Sequence, residues 1–277
     1  MGILIFLLIS SAGVNSLLMP ASPAGVITGF SLSRGNEAIF YNPANLDATN
    51  DFQLACYYNQ FYVSTKSISL ALSKKINRLN FGLGITNFDY GEIELRPEYP
   101  SDDSVTAYTA NDFSLGISGS AAISSQGKIG VTLKYISENI YVYGDRTVAF
   151  DFALAYHSSF SGVSFGATNI GYKLTLNNED VNLPAKLSLG GFIDLKKAIL
   201  SLDVHYLVNN GKFEFGQAWR FPVAQAIELN AGINYREKFF PGFGFVADAG
   251  RFAVEYGTAI YPYNLGMINT LGITLSF

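Results

Sequence analysis

The chain has 277 residues, of which 14% are charged and 14% aromatic, and its net charge is −4. Ordinary soluble domains carry about 25% charged residues, and no Lys/Arg cluster here could neutralise a run of phosphates, so nucleic acid is excluded as the main partner. One cysteine, Cys56, and two histidines, His157 and His205, exclude an intrachain disulfide framework and every CxxC, HExxH or HxH metal motif, so no metal and no cofactor is expected.

From the N-terminus, the first 33 residues carry no charged side chain. Ile3–Ile9 is an apolar run followed by Ser10-Ser11-Ala12-Gly13, the pattern of the hydrophobic and cleavage regions of a secretory leader. The run is too short to cross about 30 Å of hydrocarbon as a helix. Residues 1–18 are assigned to the leader. No later stretch offers about 20 consecutive apolar residues, so a chain this apolar either buries its surface or crosses a membrane as strands.

Residues 19–50 precede the strands, and 25–50 do not alternate cleanly. They hold two of the few early charges, Arg34 and Glu37, and the Asn42-Pro43-Ala44 turn, in which Pro fixes its own φ and Asn bonds nearby backbone. The expectation is a periplasmic segment that folds into a barrel lumen as a plug; the alternative is a loose tail.

From residue 51 onward the period is two. Val148, Phe150, Phe152, Leu154 and Tyr156 alternate with Ala149, Asp151, Ala153 and Ala155, and the same pattern recurs to the end of the chain. It predicts fourteen strands: 52–62, 67–75, 79–89, 111–123, 127–141, 146–158, 162–170, 183–194, 198–208, 212–221, 225–237, 241–248, 250–260 and 267–277. Such lengths suit tilted membrane strands of about 9–11 residues rather than sandwich strands of five or six. The links alternate between short turns, such as Lys75–Arg78 and Ser124–Gly127, and longer stretches, Tyr90–Ala110 and Gly171–Asn182. That is an outer-membrane barrel signature, and an even strand count places both ends on the periplasmic side. Gln53-Leu54-Ala55-Cys56 resembles a lipoprotein box but follows no apolar segment, so Cys56 reads as a strand residue.

One face of the strands is large and apolar. The other is small, and parity sets Lys134, Glu138, Asp151, Asp203, His205, Glu214, Arg220, Glu228, Arg236 and Glu255 on it. Outside is then lipid, and inside is a lumen with a polar network that grips the plug. Tyr57, Tyr58, Phe61, Tyr62, Tyr141, Tyr143, Tyr235, Phe239, Phe240, Tyr261 and Tyr263 fall near strand ends, as an interfacial girdle would. Asp203 and His205 are i and i+2 on one strand, but no GxSxG elbow supplies a nucleophile, so no catalytic residue is assigned. The acidic stretch Glu92–Asp103 matches no defined calcium loop and reads as solvated. The terminal Phe277 closes an amphipathic strand, an edge suited to capture by barrel-assembly machinery through strand addition.

Ser33-Arg34-Gly35-Asn36-Glu37-Ala38-Ile39-Phe40-Tyr41-Asn42-Pro43-Ala44-Asn45-Leu46 resembles the N-terminal signature of the FadL-type barrel superfamily, closest to its PorV/PorQ branch. Tyr135–Ile140, Asn169–Gly171 with Leu183–Gly190, Gly242–Phe245 and Leu271–Phe277 continue the resemblance in order. The resemblance implies an all-β fold, a 14-stranded antiparallel transmembrane β-barrel with an N-terminal plug, in the outer membrane of a diderm bacterium. It implies a non-enzymatic role in type IX secretion, with secreted proteins or other secretion subunits as partners. The alternative is a FadL-like passive transporter of hydrophobic small molecules, marked by an apolar pocket beneath the loops and a gap in the strand ladder.

Overall fold

The computed structural model describes residues 14–27, 29–49, 51–95, 106–262 and 265–277. Most of the expected leader, much of the acidic stretch and Tyr263 lie outside the described residues.

Fourteen strands close into one antiparallel barrel. They are β1 (Gln53–Gln60), β2 (Lys66–Ile76), β3 (Leu79–Leu95), β4 (Thr106–Ala122), β5 (Gly127–Ile140), β6 (Tyr143–His157) and β7 (Ser161–Gly171), then β10 (Lys186–Asp194), β11 (Ile199–Leu207), β12 (Lys212–Ala224), β13 (Ile227–Arg236), β14 (Lys238–Asp248), β15 (Phe252–Tyr261) and β16 (Gly266–Ser276). A separate hairpin, β8 (Leu174–Leu176) with β9 (Glu179–Val181), sits in the link between β7 and β10. The seam joins β1 to β16 from Gln53↔Ser276 to Gln60↔Asn269. Both barrel termini therefore share one rim with the turns after β2, β4, β6, β10, β12 and β14. We call this the turn rim, and the opposite end the loop rim.

The two rims are less unequal than expected. On the loop rim, links 61–65, 141–142, 208–211 and 262–265 are short, and Glu237 alone joins β13 to β14. The stretch after Tyr90 is not all loop: β3 and β4 stay paired through Ile93↔Tyr108. Ile93, Thr109 and Tyr108 favour strand, and Glu92 and Glu94 point to solvent, where a two-sided ribbon tolerates charge.

Side chains sort by parity. On β2, Ser67, Ser69, Ala71 and Ser73 are buried while Ile68 and Leu70 are exposed. Around the outside Leu133, Phe150, Leu189, Leu202, Ile233 and Phe243 are exposed too. So continuous an apolar belt belongs in hydrocarbon. No described helix is long and apolar enough to cross a membrane; the strands do the crossing. Replacing Leu133 by arginine at mid-strand is expected to destabilise the membrane-inserted barrel by about 2–4 kcal/mol. Denaturant titration of folding into lipid vesicles measures this.

The aromatic girdle is a partial correction. Tyr58, Tyr141, Tyr143 and Phe239 are exposed, but Tyr57, Phe61 and Phe240 are buried inside the barrel. Tyr57 and Phe240 stand at inward parity, and Phe61, just past β1, turns in with them. The bulk these rings fill is what the small inner face leaves empty.

Candidate functional site: the segment inside the lumen

Residues 14–27 and 29–49 run inside the barrel as short turns: Asn15–Leu18, Pro23–Ile27, Gly35–Glu37, Ala38–Tyr41 and Pro43–Asn45. Their local causes are plain. Gly29 and Gly35 take φ of +78° and +53°, which other residues rarely adopt. Pro43 opens the last turn, and Asn42 Oδ1 accepts the Ala44 N–H at 3.2 Å. Half-buried Tyr41 accepts N–H bonds from Ala21 and Ser22 at 2.8 and 2.9 Å. Burial holds its hydroxyl well above the ordinary tyrosine pKa, so it stays neutral.

The segment spans the lumen lengthwise. Val14 packs near the loop rim with Ile136, Ala149, Leu174 and Leu183. Asp47 pairs with Lys128 on the turn rim at 3.6 Å. Between these ends, the wall approaches to backbone distance. A Cβ on Gly130 would lie 2.1 Å from the Pro43 carbonyl carbon, and one on Gly257 would lie 2.8 Å from the Pro23 carbonyl oxygen. The Asn42-Pro43-Ala44 turn rests on Gly130 of β5 and on Ala153 and Ala155 of β6. The small inner face is the imprint of this segment.

Each expected lumen charge points inward, and the partners differ. Asp203 accepts the Ser31 N–H at 3.2 Å, and Arg220 donates to the Leu32 carbonyl at 2.9 Å. Arg34 and Arg220 both pair with Glu228, at 3.1 and 3.0 Å. Glu37 accepts from Ser22 Oγ at 2.6 Å and from Ala24 N–H at 3.1 Å, within the segment itself. Glu138 accepts the Val14 N–H at 3.2 Å. The rest serve mainly the wall, with Glu255 also hydrogen-bonded to Glu37 of the segment. Lys134 pairs with Asp151 at 2.7 Å, Arg236 with Glu214 at 3.3 Å, and Thr274 Oγ1 donates to Glu255 at 3.4 Å. His205 Nδ1 lies 2.8 Å from Ser188 Oγ, while the Asp203 carboxylate turns away to Ser31. Phe277 is exposed and donates its N–H to the Phe52 carbonyl at 2.9 Å.

Parity reasoning on charges missed the uncharged grips. Asn59 donates to the Ala21 carbonyl, Ser120 to Leu46 and Asn234 to Ile27 at 2.9 Å. An Asn or Ser at an inward position facing no charged partner was the available signal. A cavity of about 310 Å³ remains between the segment and β12–β16 toward the turn rim, lined by Arg34, Glu37, Arg220, Glu228 and Glu255. The loop-rim end is instead apolar: Phe61, Phe88, Phe240 and Ile268 are buried together, with Met19, Tyr62, Tyr90 and Tyr261 against them. Among the described residues no cluster of His, Cys, Asp or Glu could hold a metal.

A closed fourteen-stranded barrel with an apolar outer wall and a polar inner wall is a membrane-spanning β-barrel. Its fold is that of the FadL-type barrels. The toluene transporter TbuX of Ralstonia pickettii is similar with a TM-score of 0.69 at 13% identity, over 95% of this chain and 100% of that one. The toluene transporter TodX of Pseudomonas putida gives 0.70 at 11%, over 93% and 97%. A FadL homologue of Pseudomonas aeruginosa gives 0.64 at 11%, over 97% and 100%. No protein-family model and no curated protein matches the sequence.

Proposed function

We propose that this barrel is a passive conduit for small hydrophobic molecules across the outer membrane, with residues 14–49 as its plug. The observation that carries the reading is the buried apolar cluster at the loop rim inside the lumen. A hydrophilic solute gains nothing there, whereas an aromatic or alkyl ligand that parts these packed rings leaves water for apolar surroundings at about 25 cal/mol per Å². Two of the similar structures are toluene transporters, which agrees with such a ligand. No step here calls for a catalyst, and the role is non-enzymatic.

A PorV/PorQ-like secretion role is the second reading. The continuous wall favours it: the ladder shows bulges at Asp89/Glu92, Phe150/Phe152 and Pro222/Ala224 but no open seam. In that reading, secreted proteins or other secretion subunits engage the loop rim.

Native mass spectrometry of the barrel in mild detergent separates the two. The conduit reading expects retained apolar ligands of toluene to fatty-acid size, and barrel-dependent uptake of toluene into proteoliposomes. Copurifying secretion subunits with an empty lumen and no toluene flux would overturn it.

A further inference from the structure

We infer that the mature protein begins at Val14, and that its new α-ammonium group is held inside the barrel by Asp112 and Glu138. This inference is independent of what the barrel conducts.

Asp112 and Glu138 stand directly opposite each other on β4 and β5. Both are buried, at 2% and 5% exposure. Like charges facing across a ladder repel, and buried carboxylates need compensation. Among the described residues neither has an ion-pair partner; the nearby Lys134 is committed to Asp151. Asp112 takes hydrogen bonds from Tyr90 Oη at 2.7 Å and from Ser16, and Glu138 Oε1 accepts the Val14 N–H at 3.2 Å. Asp112 Oδ1 and Glu138 Oε2 are buried with no hydrogen-bond partner. The site therefore has two facing carboxyl groups, each with one unpartnered oxygen, beside the Val14 N–H, and no cation among the described residues paired to either. A charged amine at that nitrogen brings three donors and a positive charge to the same place.

Val14 itself points the same way. Its φ is +51°, an outlier for a β-branched residue because the preceding carbonyl crowds Cβ. A chain that starts at Val14 has no preceding carbonyl, and the strain disappears. The sequence supplies the cut: Ser11 and Gly13 stand at positions −3 and −1, both small, behind the Ile3–Ile9 apolar run. Hydrolysis of the Gly13–Val14 peptide bond by a leader peptidase consumes one water. It leaves a carboxylate on Gly13 and an α-ammonium on Val14. The leader then ends at residue 13 rather than near 18, since Val14 and Leu17 belong to the packed lumen.

The test uses barrel purified from the membrane of the organism that makes it. Intact mass and N-terminal sequencing should read Val-Asn-Ser-Leu. A start at any other residue, or retention of residues 1–13, overturns the inference. Next, the folded and denatured barrels are treated with 2-pyridinecarboxaldehyde, which condenses with α-amines. The buried, paired terminus should react at least about tenfold more slowly when folded. Equal rates in the two states overturn the ion pair even if the start is Val14. Asp112→Asn with Glu138→Gln should raise the folded-state rate toward the denatured one; an unchanged rate in a folded double variant also counts against it.

Discussion

Replacing Gly130 by valine is expected to drive the Asn42-Pro43-Ala44 turn off the barrel wall. The first carbon of any side chain there would lie 2.1 Å from the Pro43 carbonyl carbon and 2.2 Å from the Ala44 nitrogen. Both are backbone atoms, so no rotamer change makes room. Either the wall bends or the turn leaves. Overpacking costs about 1–3 kcal/mol where side chains can adjust, and a backbone clash belongs at or beyond the top of that range. The turn also carries bonds of its own, from Asn45 Nδ2 to the Ser31 carbonyl and from Asn42 Nδ2 to the Phe30 carbonyl. Displacing it therefore loosens residues 30–46 together. Planar-bilayer recordings should show ion conductance above the wild-type level, and the heat-modifiable gel band should convert at a lower temperature. Gly119→Ala is the control, because a Cβ there meets open space. If Gly130→Val matches that control in both measurements, the plug role falls.

The second large effect is expected at Lys134. Its ammonium lies 2.7 Å from Asp151 Oδ2 and donates to Asn169 Oδ1 at 2.9 Å, and the Asp151 side chain is only 1% exposed. Asp151 Oδ1 in turn accepts the Asn169 N–H at 2.8 Å, where β7 carries an extra residue relative to β6. Asn169 takes φ of +58° to make that bulge. Lys134→Met takes the paired cation from a buried carboxylate and leaves it only the unpaired Lys186 ammonium nearby, which costs about 3–5 kcal/mol. The effect should hold in high salt, since buried pairs are weakly screened. Adding Asp151→Asn should recover part of the loss: the amide oxygen still accepts from Asn169, and the orphaned charge is gone. Unfolding free energies in vesicles for the two single variants and the double variant test this, with a positive coupling between sites as the signature.

The barrel was legible because one rule, period two with a large face and a small face, holds along nearly every strand. It failed where position outranked pattern. Tyr57 and Phe240 have the composition of girdle residues, but parity turned them into the lumen, and Glu92 and Glu94 sit on an extended ribbon that their charge disguised. The inward direction of Asp203 or Arg220 followed from parity. Their partners did not, because Ser31 N–H and the Leu32 carbonyl are main-chain groups that no residue type announces. The Asn42-Pro43-Ala44 turn was visible as a turn; its seat on Gly130 required the register of β5.

The seam between β1 and β16 orders the events of assembly. Residues 14–49 join β1 at the turn rim, yet Val14 reaches the loop rim beneath Leu174 and Leu183. A wall sealed first would have to admit this stretch through a bore whose glycines already touch its backbone. The segment must therefore dock while the sheet is still an open trough, and the final zippering of Gln53–Gln60 against Asn269–Ser276 locks it in. Closing so distant a pair adds little entropy cost, because that cost grows only logarithmically with loop length. A variant that weakens docking would then appear first as an accumulation of unsealed barrels, before any change in the finished ones.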